Sequence, residues 1–150
     1  MKVFKIFTML NAALVSGAFL LSYINGLGCA FTLHHWTPNL PYEIYSTCTG
    51  GVLNMRISAK PPYNGTIGEF SGRYLTLNGH NVVLISEIYN LELNEVQQFP
   101  FKANLERNKY VFSHIKRFDE RWVGIFSDYP ANVAFLAEVE GYLSLEDRVK

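Results

Sequence analysis

The chain begins with a hydrophobic run and continues with alternating apolar and polar positions. Lysines at 2 and 5 precede an apolar stretch over 6–24, and small residues follow at Gly26, Gly28 and Ala30. A basic start, an apolar middle and a small-residue exit are typical of a secretory signal peptide. We therefore predict a signal peptide over 1–28, with cleavage between 24 and 30. A membrane anchor is the main alternative, because about 20 apolar residues can also span a bilayer.

Beyond the leader, the pattern changes to that of strands. Asn78-Gly79 is a strong hairpin-turn signal, and the segment 82–96 suits either a helix or a strand. Five segments have the alternation or the β-branched and aromatic content of strands: 53–59, 73–77, 109–113, 122–127 and 133–143. Consecutive strands with short connections predict an antiparallel sheet, in one domain over 29–150.

Composition narrows the function classes. Of the 150 residues, 49% are hydrophobic, which is enough for one compact domain. Thirteen basic and thirteen acidic residues cancel, so no global positive field indicates nucleic acid. Two cysteines exclude a miniprotein with several disulfides and a four-cysteine zinc site. Adjacent histidines at His34-His35 point apart on a strand, so we predict no metal site and no cofactor.

Two modifications depend on export. Cleavage before Cys29 leaves this residue free to pair with Cys48, whereas cleavage after Ala30 leaves Cys48 alone, and the sequence leaves both outcomes open. Asn64-Gly65-Thr66 is an acceptor sequence for N-glycosylation, so Asn64 is a candidate site in a secreted chain.

The second half of the chain contains motifs in a familiar order. The segments 96–100, 109–112, 122–127 and 135–141 resemble the RNase-like effectors of cereal powdery mildew fungi, which are secreted proteins associated with haustoria. The resemblance covers about 78–141, together with the leader and the Tyr45-Ser46-Thr47-Cys48 element. It implies an α+β fold of the small ribonuclease T1-like type, with a central antiparallel β-sheet and one short helix. The family's second cysteine near the carboxyl end is missing here.

The resemblance also identifies positions of ribonuclease chemistry, which needs a general base, a general acid and a cation at the phosphate. Gln98 falls at the base, Asp128 at the acid and Lys109 at the phosphate-binding arginine. An amide cannot accept the proton, and an aspartate is ordinarily deprotonated at neutral pH and a poor acid. His80 matches a further catalytic histidine in one register and misses it in another. The resemblance thus implies a protein that is not an enzyme.

The function implied is that of a secreted, monomeric effector that enters the host cell cytoplasm and binds host plant proteins to suppress immunity. It also implies recognition, as an avirulence protein, by an intracellular nucleotide-binding leucine-rich-repeat receptor. RNA binding is expected to be weak or absent, and no membrane contact is expected after cleavage. The alternative is an active guanyl-preferring endoribonuclease or an RNA-binding toxin. We place the predicted partner surface on a hairpin and a turn with these residues: Lys116, Arg117, Asp119, Arg121, Asp128 and Tyr129.

Overall fold

The computed structural model describes residues 2–36, 38, 41–62, 65–89, 109–129 and 132–149. Two helices flank eight strands. Helix α1 spans Lys2–Leu27, and the short helix α2 spans Leu145–Val149. The strands are β1 (Ala30–Trp36), β2 (Tyr42–Thr49), β3 (Val52–Ala59), β4 (Thr66–Leu77), β5 (His80–Tyr89), β6 (Tyr110–Arg117), β7 (Trp122–Tyr129) and β8 (Val133–Tyr142).

The eight strands form one closed antiparallel barrel. Each strand pairs with its neighbours along the chain, and β1 also pairs with β8. Leu33, for example, lies opposite Ser46 on β2 and Val139 on β8. In the described residues, closure therefore pairs each strand on both of its sides over at least part of its length.

The predicted antiparallel sheet and its accompanying helix are confirmed at this level. Asn78 and Gly79 both have positive φ, 52° and 80°, as a tight hairpin between β4 and β5 requires. Three features were not anticipated. Strands β1 and β2 were missed, the ambiguous segment is strand over 82–89, and the sheet closes into a barrel, which the ribonuclease T1-like prediction did not include. Closure depends on pairing residues about 100 positions apart, which local periodicity does not report.

Alternation along each strand fills the barrel with apolar side chains. On β1, Phe31, Leu33 and His35 are buried, while the intervening positions face outward. The same period of two buries Ile44, Ser46 and Cys48 on β2. The remaining buried apolar residues on the strands are Tyr42, Leu53, Ile57, Ile67, Phe70, Tyr74, Leu75, Val83, Ile85, Val123, Ile125, Ala137 and Val139.

The last turn of α1 is part of the folded domain. The side-chain amide of Asn25 donates to the carbonyl oxygen of Thr76 at 3.1 Å, and its Oδ1 accepts from the backbone N of Glu146 at 2.9 Å. A Cβ at Gly26 would lie 2.3 Å from the carbonyl oxygen of Tyr74, so only glycine allows this approach. Asn25 therefore connects α1 to both β4 and α2.

The rest of α1, unlike its last turn, is exposed. Its apolar side chains from Phe4 to Leu21 are exposed, and Phe4–Leu27 is long and apolar enough to cross a membrane. A signal sequence near the amino terminus has the same properties, so the helix is compatible with the predicted leader. The structure also joins Cys29, just after this helix, to Cys48 by a disulfide.

Candidate ligand site inside the barrel

A cavity of about 70 Å³ lies within the barrel. Eight strands give an interior that side chains either just fill or leave with room for one small ligand. Most of the lining is aliphatic or aromatic, including Phe31, Leu33, Phe70, Val83 and Phe135. Tyr74 also lines it, and its hydroxyl donates to Oδ1 of Asn81 at 2.6 Å. No lining residue is charged.

Three serines explain why space remains. Ser46, Ser113 and Ser127 occupy inward positions on β2, β6 and β7, and all three are buried and line the cavity. Strand interiors usually carry larger β-branched or aromatic side chains. A hydroxymethyl group at each of three facing strands therefore leaves volume that a valine or leucine would occupy.

His35 is the most polar side chain in the cavity lining. Only 4% of its surface is exposed, and its ring packs edge-on against Phe135 with centroids 5.6 Å apart. Its Nε2 lies 3.4 Å from Oγ of Ser46, which is a long contact, and its Nδ1 has no hydrogen-bond partner. Burial, with a smaller contribution from the charge of His34, lowers the His35 pKa from 6.5 to about 4. The imidazole is therefore neutral at pH 7.

The positions predicted for ribonuclease chemistry do not converge in the described residues. Lys109 precedes β6, and Asp128 is exposed on β7. His80 lies opposite His114, whereas Tyr110 lies opposite Leu84, four residues further along β5. At about 3.3 Å per residue, Lys109 and His80 are separated by more than about 13 Å along the sheet. Gln98 and the sequon residue Asn64 lie outside the described residues.

His80, which is exposed, and His114, which is partly buried, lie side by side with ring centroids 4.7 Å apart. In the part of the chain that the structure describes, no group of three or more His, Cys, Asp or Glu side chains could hold a metal ion. Two imidazoles fall short of the four ligands of a structural zinc site.

Two residues of the predicted partner surface, Arg117 and Asp119, stabilise the hairpin between β6 and β7. Arg117 donates to the carbonyl oxygens of Glu120 and Gly141 at 2.9 and 3.2 Å and pairs with Asp147 at 2.8 Å. Oδ1 of Asp119 accepts from the backbone N of Arg121 and of the next residue, both at 2.7 Å. These two side chains therefore stabilise the turn as well as presenting charge.

The remaining predicted partner residues are more peripheral. Arg121 forms an ion pair with Glu138 on β8, and Lys116 is exposed. Tyr129 ends β7, and its side chain lies outside the described part of the molecule. Lys116 is thus the residue of the predicted surface that is most available to a partner.

His35 and the serines were missed by the sequence reasoning. The sequence predicted no metal site at His34-His35 and distinguished no role for His35, because no strand was predicted over 30–36. The signal was present: Phe31, Leu33 and His35 share the odd positions of one strand, so the same face carries two apolar residues and one histidine. The cavity itself has no local sequence signal, since all eight described strands contribute to it.

No protein-family model matches this chain, and no curated protein matches it. The geometry of the barrel is therefore the main basis for a functional argument.

Proposed function

We propose that this protein is a binding protein that takes one small, mostly apolar molecule inside its barrel. The observation that carries the proposal is the cavity of about 70 Å³, lined by apolar side chains and a few buried polar ones. Ligand pockets combine these two features, with the apolar surface supplying affinity and the polar groups fixing orientation. The mouths and interiors of small antiparallel barrels are common places for such sites.

The energetic cost of leaving the cavity empty supports this function. Cavities in protein cores destabilise by about 24 cal/mol per Å³, so this one costs about 2 kcal/mol. A ligand that fills the space recovers dispersion contacts that the lining atoms otherwise lack. The volume is about half that of an apolar cavity known to take benzene, at about 150 Å³. The ligand is therefore slender, with room for a chain of a few carbons.

Binding of xenon, followed by NMR chemical shifts of the lining methyl groups, tests this function. Xenon is a spherical apolar probe that enters dry cavities of this kind. We expect the shifts to saturate at Leu33, Val83 and neighbouring methyls. Ser113→Val fills the cavity and should abolish them, whereas Ser86→Val, at an exposed position on β5, is the matched control and should leave them intact.

Two results would contradict the proposal. One is the absence of saturable shifts in the unmodified protein. The other is xenon binding that Ser113→Val does not weaken.

A second candidate function is the secreted, non-catalytic effector that acts on host plant proteins. Its support is the resemblance of the strand motifs and the apolar α1, which is compatible with a signal sequence. This candidate includes a ribonuclease T1-like sheet. The antiparallel pairing of the strands agrees with such a sheet, whereas the closure of β1 on β8 is a difference that the candidate must accommodate. The two functions are compatible, because a barrel can bind a ligand inside and a protein outside.

Two assays test the effector candidate. We expect the purified protein to leave RNA intact, and guanine-specific cleavage would instead support the active ribonuclease. For partner binding, Lys116→Ala with Phe118→Ala removes two exposed side chains near the hairpin and should weaken capture by host proteins. The control is Arg56→Ala, an exposed change on β3. Equal capture by both variants would place the recognition surface elsewhere.

A further inference from the structure

Three buried polar atoms in the described residues have no hydrogen-bond partner: Nδ1 of His35, Nδ1 of His114 and Nε of Arg117. The His114 and Arg117 side chains line a separate, more polar cleft beside α2. Of these three side chains, only that of His35 lines the apolar cavity. A buried polar atom without a partner is unfavourable, and it becomes favourable once a ligand supplies the missing hydrogen bond.

We infer that the barrel cavity is a site for a short-chain aliphatic alcohol, whose hydroxyl hydrogen-bonds to Nδ1 of His35 and whose alkyl chain fills the apolar volume. This inference rests on the proposed function, since it specifies the ligand class of the same cavity. The argument has three parts, which concern the hydrogen-bonding role of the ring, the charge of the ligand and the size of the space.

The hydrogen-bonding role favours a hydroxyl group. The contact between Nε2 and Ser46 Oγ is compatible with either tautomer of the ring, so Nδ1 is either an acceptor or a donor. A hydroxyl has one donor hydrogen and two acceptor lone pairs, so it satisfies Nδ1 in both cases. A ketone or an ether would serve only the tautomer in which Nδ1 carries the proton.

The charge of the lining excludes ionised ligands. Among the described residues, no side chain around the cavity is charged, and His35 is neutral at pH 7 because burial depresses its pKa. A carboxylate or an ammonium group would therefore lose its hydration without gaining a counter-charge, which is strongly unfavourable. A neutral alcohol loses far less hydration on entry.

The size of the cavity limits the alkyl chain and raises water as a rival occupant. A buried water needs two to four polar partners, and the described lining offers mainly His35 and the serines. At about 70 Å³, the space exceeds one water's share of the liquid, about 30 Å³. An alcohol such as ethanol, which is smaller than benzene, adds apolar contact that a water cannot make.

The experiment is an NMR titration of protein labelled with nitrogen-15 in its histidine rings, using matched ligands of similar shape. The probes are ethanol, chloroethane, which lacks the hydroxyl, and acetate, which carries a charge. We expect ethanol to shift the His35 ring nitrogens and to bind about 3–10-fold more tightly than chloroethane, the range that one neutral hydrogen bond supplies. Acetate should not bind.

Variants localise the effect. His35→Leu should weaken ethanol binding by the same 3–10 fold and leave chloroethane binding unchanged. His34→Leu, at the adjacent outward position, is the matched control and should change neither ligand. Should His35→Leu fail to fold, the ring-nitrogen shifts of the unmodified protein still decide the question.

The outcomes separate this inference from the proposed function. If both neutral ligands bind equally and the His35 nitrogens do not respond, the alcohol site is wrong while the barrel remains a ligand-binding cavity. If neither neutral ligand binds and xenon is also excluded, both proposals fail. Tighter binding of acetate than of ethanol would likewise overturn the inference.

Discussion

Two polar clusters inside one barrel differ in how completely they are hydrogen-bonded. In the first, the Tyr74 cluster, the tyrosine hydroxyl donates to Asn81, and the Asn81 amide donates to the carbonyl oxygen of Gly79 at 2.7 Å. In the second, the His35 cluster, the ring has one long contact to Ser46 and an unpartnered Nδ1. The difference indicates that the Tyr74 cluster is part of the scaffold, whereas the His35 cluster is available to a ligand.

Their surroundings agree with this division. The Tyr74 cluster adjoins the barrel end where Asn25 connects α1 to β4 and α2. The ring of Phe31 packs against Tyr74 with centroids 5.7 Å apart, and Phe31 lies opposite Cys48 of the disulfide. Burial raises the Tyr74 pKa far above its usual range, so its hydroxyl keeps its proton. The His35 cluster lies near the other end of β1.

The largest expected effect is at the barrel end that carries the disulfide and the Asn25 contacts. Replacing both Cys29 and Cys48 by alanine removes a bridge between residues 19 positions apart. In the chain-entropy account, this lowers the free energy of unfolding by about 3 kcal/mol. Urea unfolding measures the change, and the reduced unmodified protein is the control. If ethanol binding persists in the folded variant, the two ends of the barrel act independently, and its loss would break the distinction.

Lowering the pH tests the His35 cluster and should reduce the free energy of unfolding by a comparable amount. The folded-state pKa, about 4, lies below the unfolded value near 6.5, so the unfolded chain binds more protons between them. The stabilising contribution is therefore complete above pH 6.5 and falls as the pH drops, by about 3 kcal/mol at pH 4. Urea unfolding at several pH values should show this loss, and His35→Leu should reduce it by that amount. An unchanged pH profile in the variant would contradict burial of a neutral histidine.

A pair of variants at pH 7 should separate the two clusters directly. Asn81→Ala leaves the Tyr74 hydroxyl buried without its partner and should cost about 2 kcal/mol of unfolding free energy. His35→Leu breaks only one long contact and should cost less than about 1 kcal/mol, or stabilise the protein. Thermal unfolding gives both values. Equal destabilisation by the two changes would remove the distinction between a structural and a ligand-binding cluster.

The smallest effect concerns the contact between α1 and the barrel. In a chain trimmed to begin at Phe19, Asn25→Ala removes hydrogen bonds to β4 and α2 and should cost about 1 kcal/mol. Ser22→Ala is the control, because that hydroxyl bonds only within the helix, to Ala18. If the two variants are equally stable, the last turn of α1 is dispensable for folding, which is what the predicted cleavage between 24 and 30 requires.

Much of the local structure was predictable. Alternation over 53–59 and 73–77, the Asn78-Gly79 turn and the strands in 109–127 all appear in the barrel, because side-chain direction in a strand repeats every two residues. The apolar leader appears as α1 for a similarly local reason. The ambiguous segment before 90 is strand because its inward residues, including Val83 and Ile85, complete the barrel interior.

The functional features required tertiary structure. Adjacent histidines look alike in sequence, yet His34 is exposed and His35 is buried, since only the pairing of β1 with both β2 and β8 defines an inside. The cavity likewise depends on the summed volumes of side chains from all eight described strands. The sequence by itself determined the apolar amino-terminal segment, several of the strands from β3 onward and the Asn78-Gly79 turn, because these follow from neighbours along the chain. Tertiary structure alone decided the closure of the sheet, the position of the disulfide and the unpartnered His35, because each depends on contacts between residues distant in sequence.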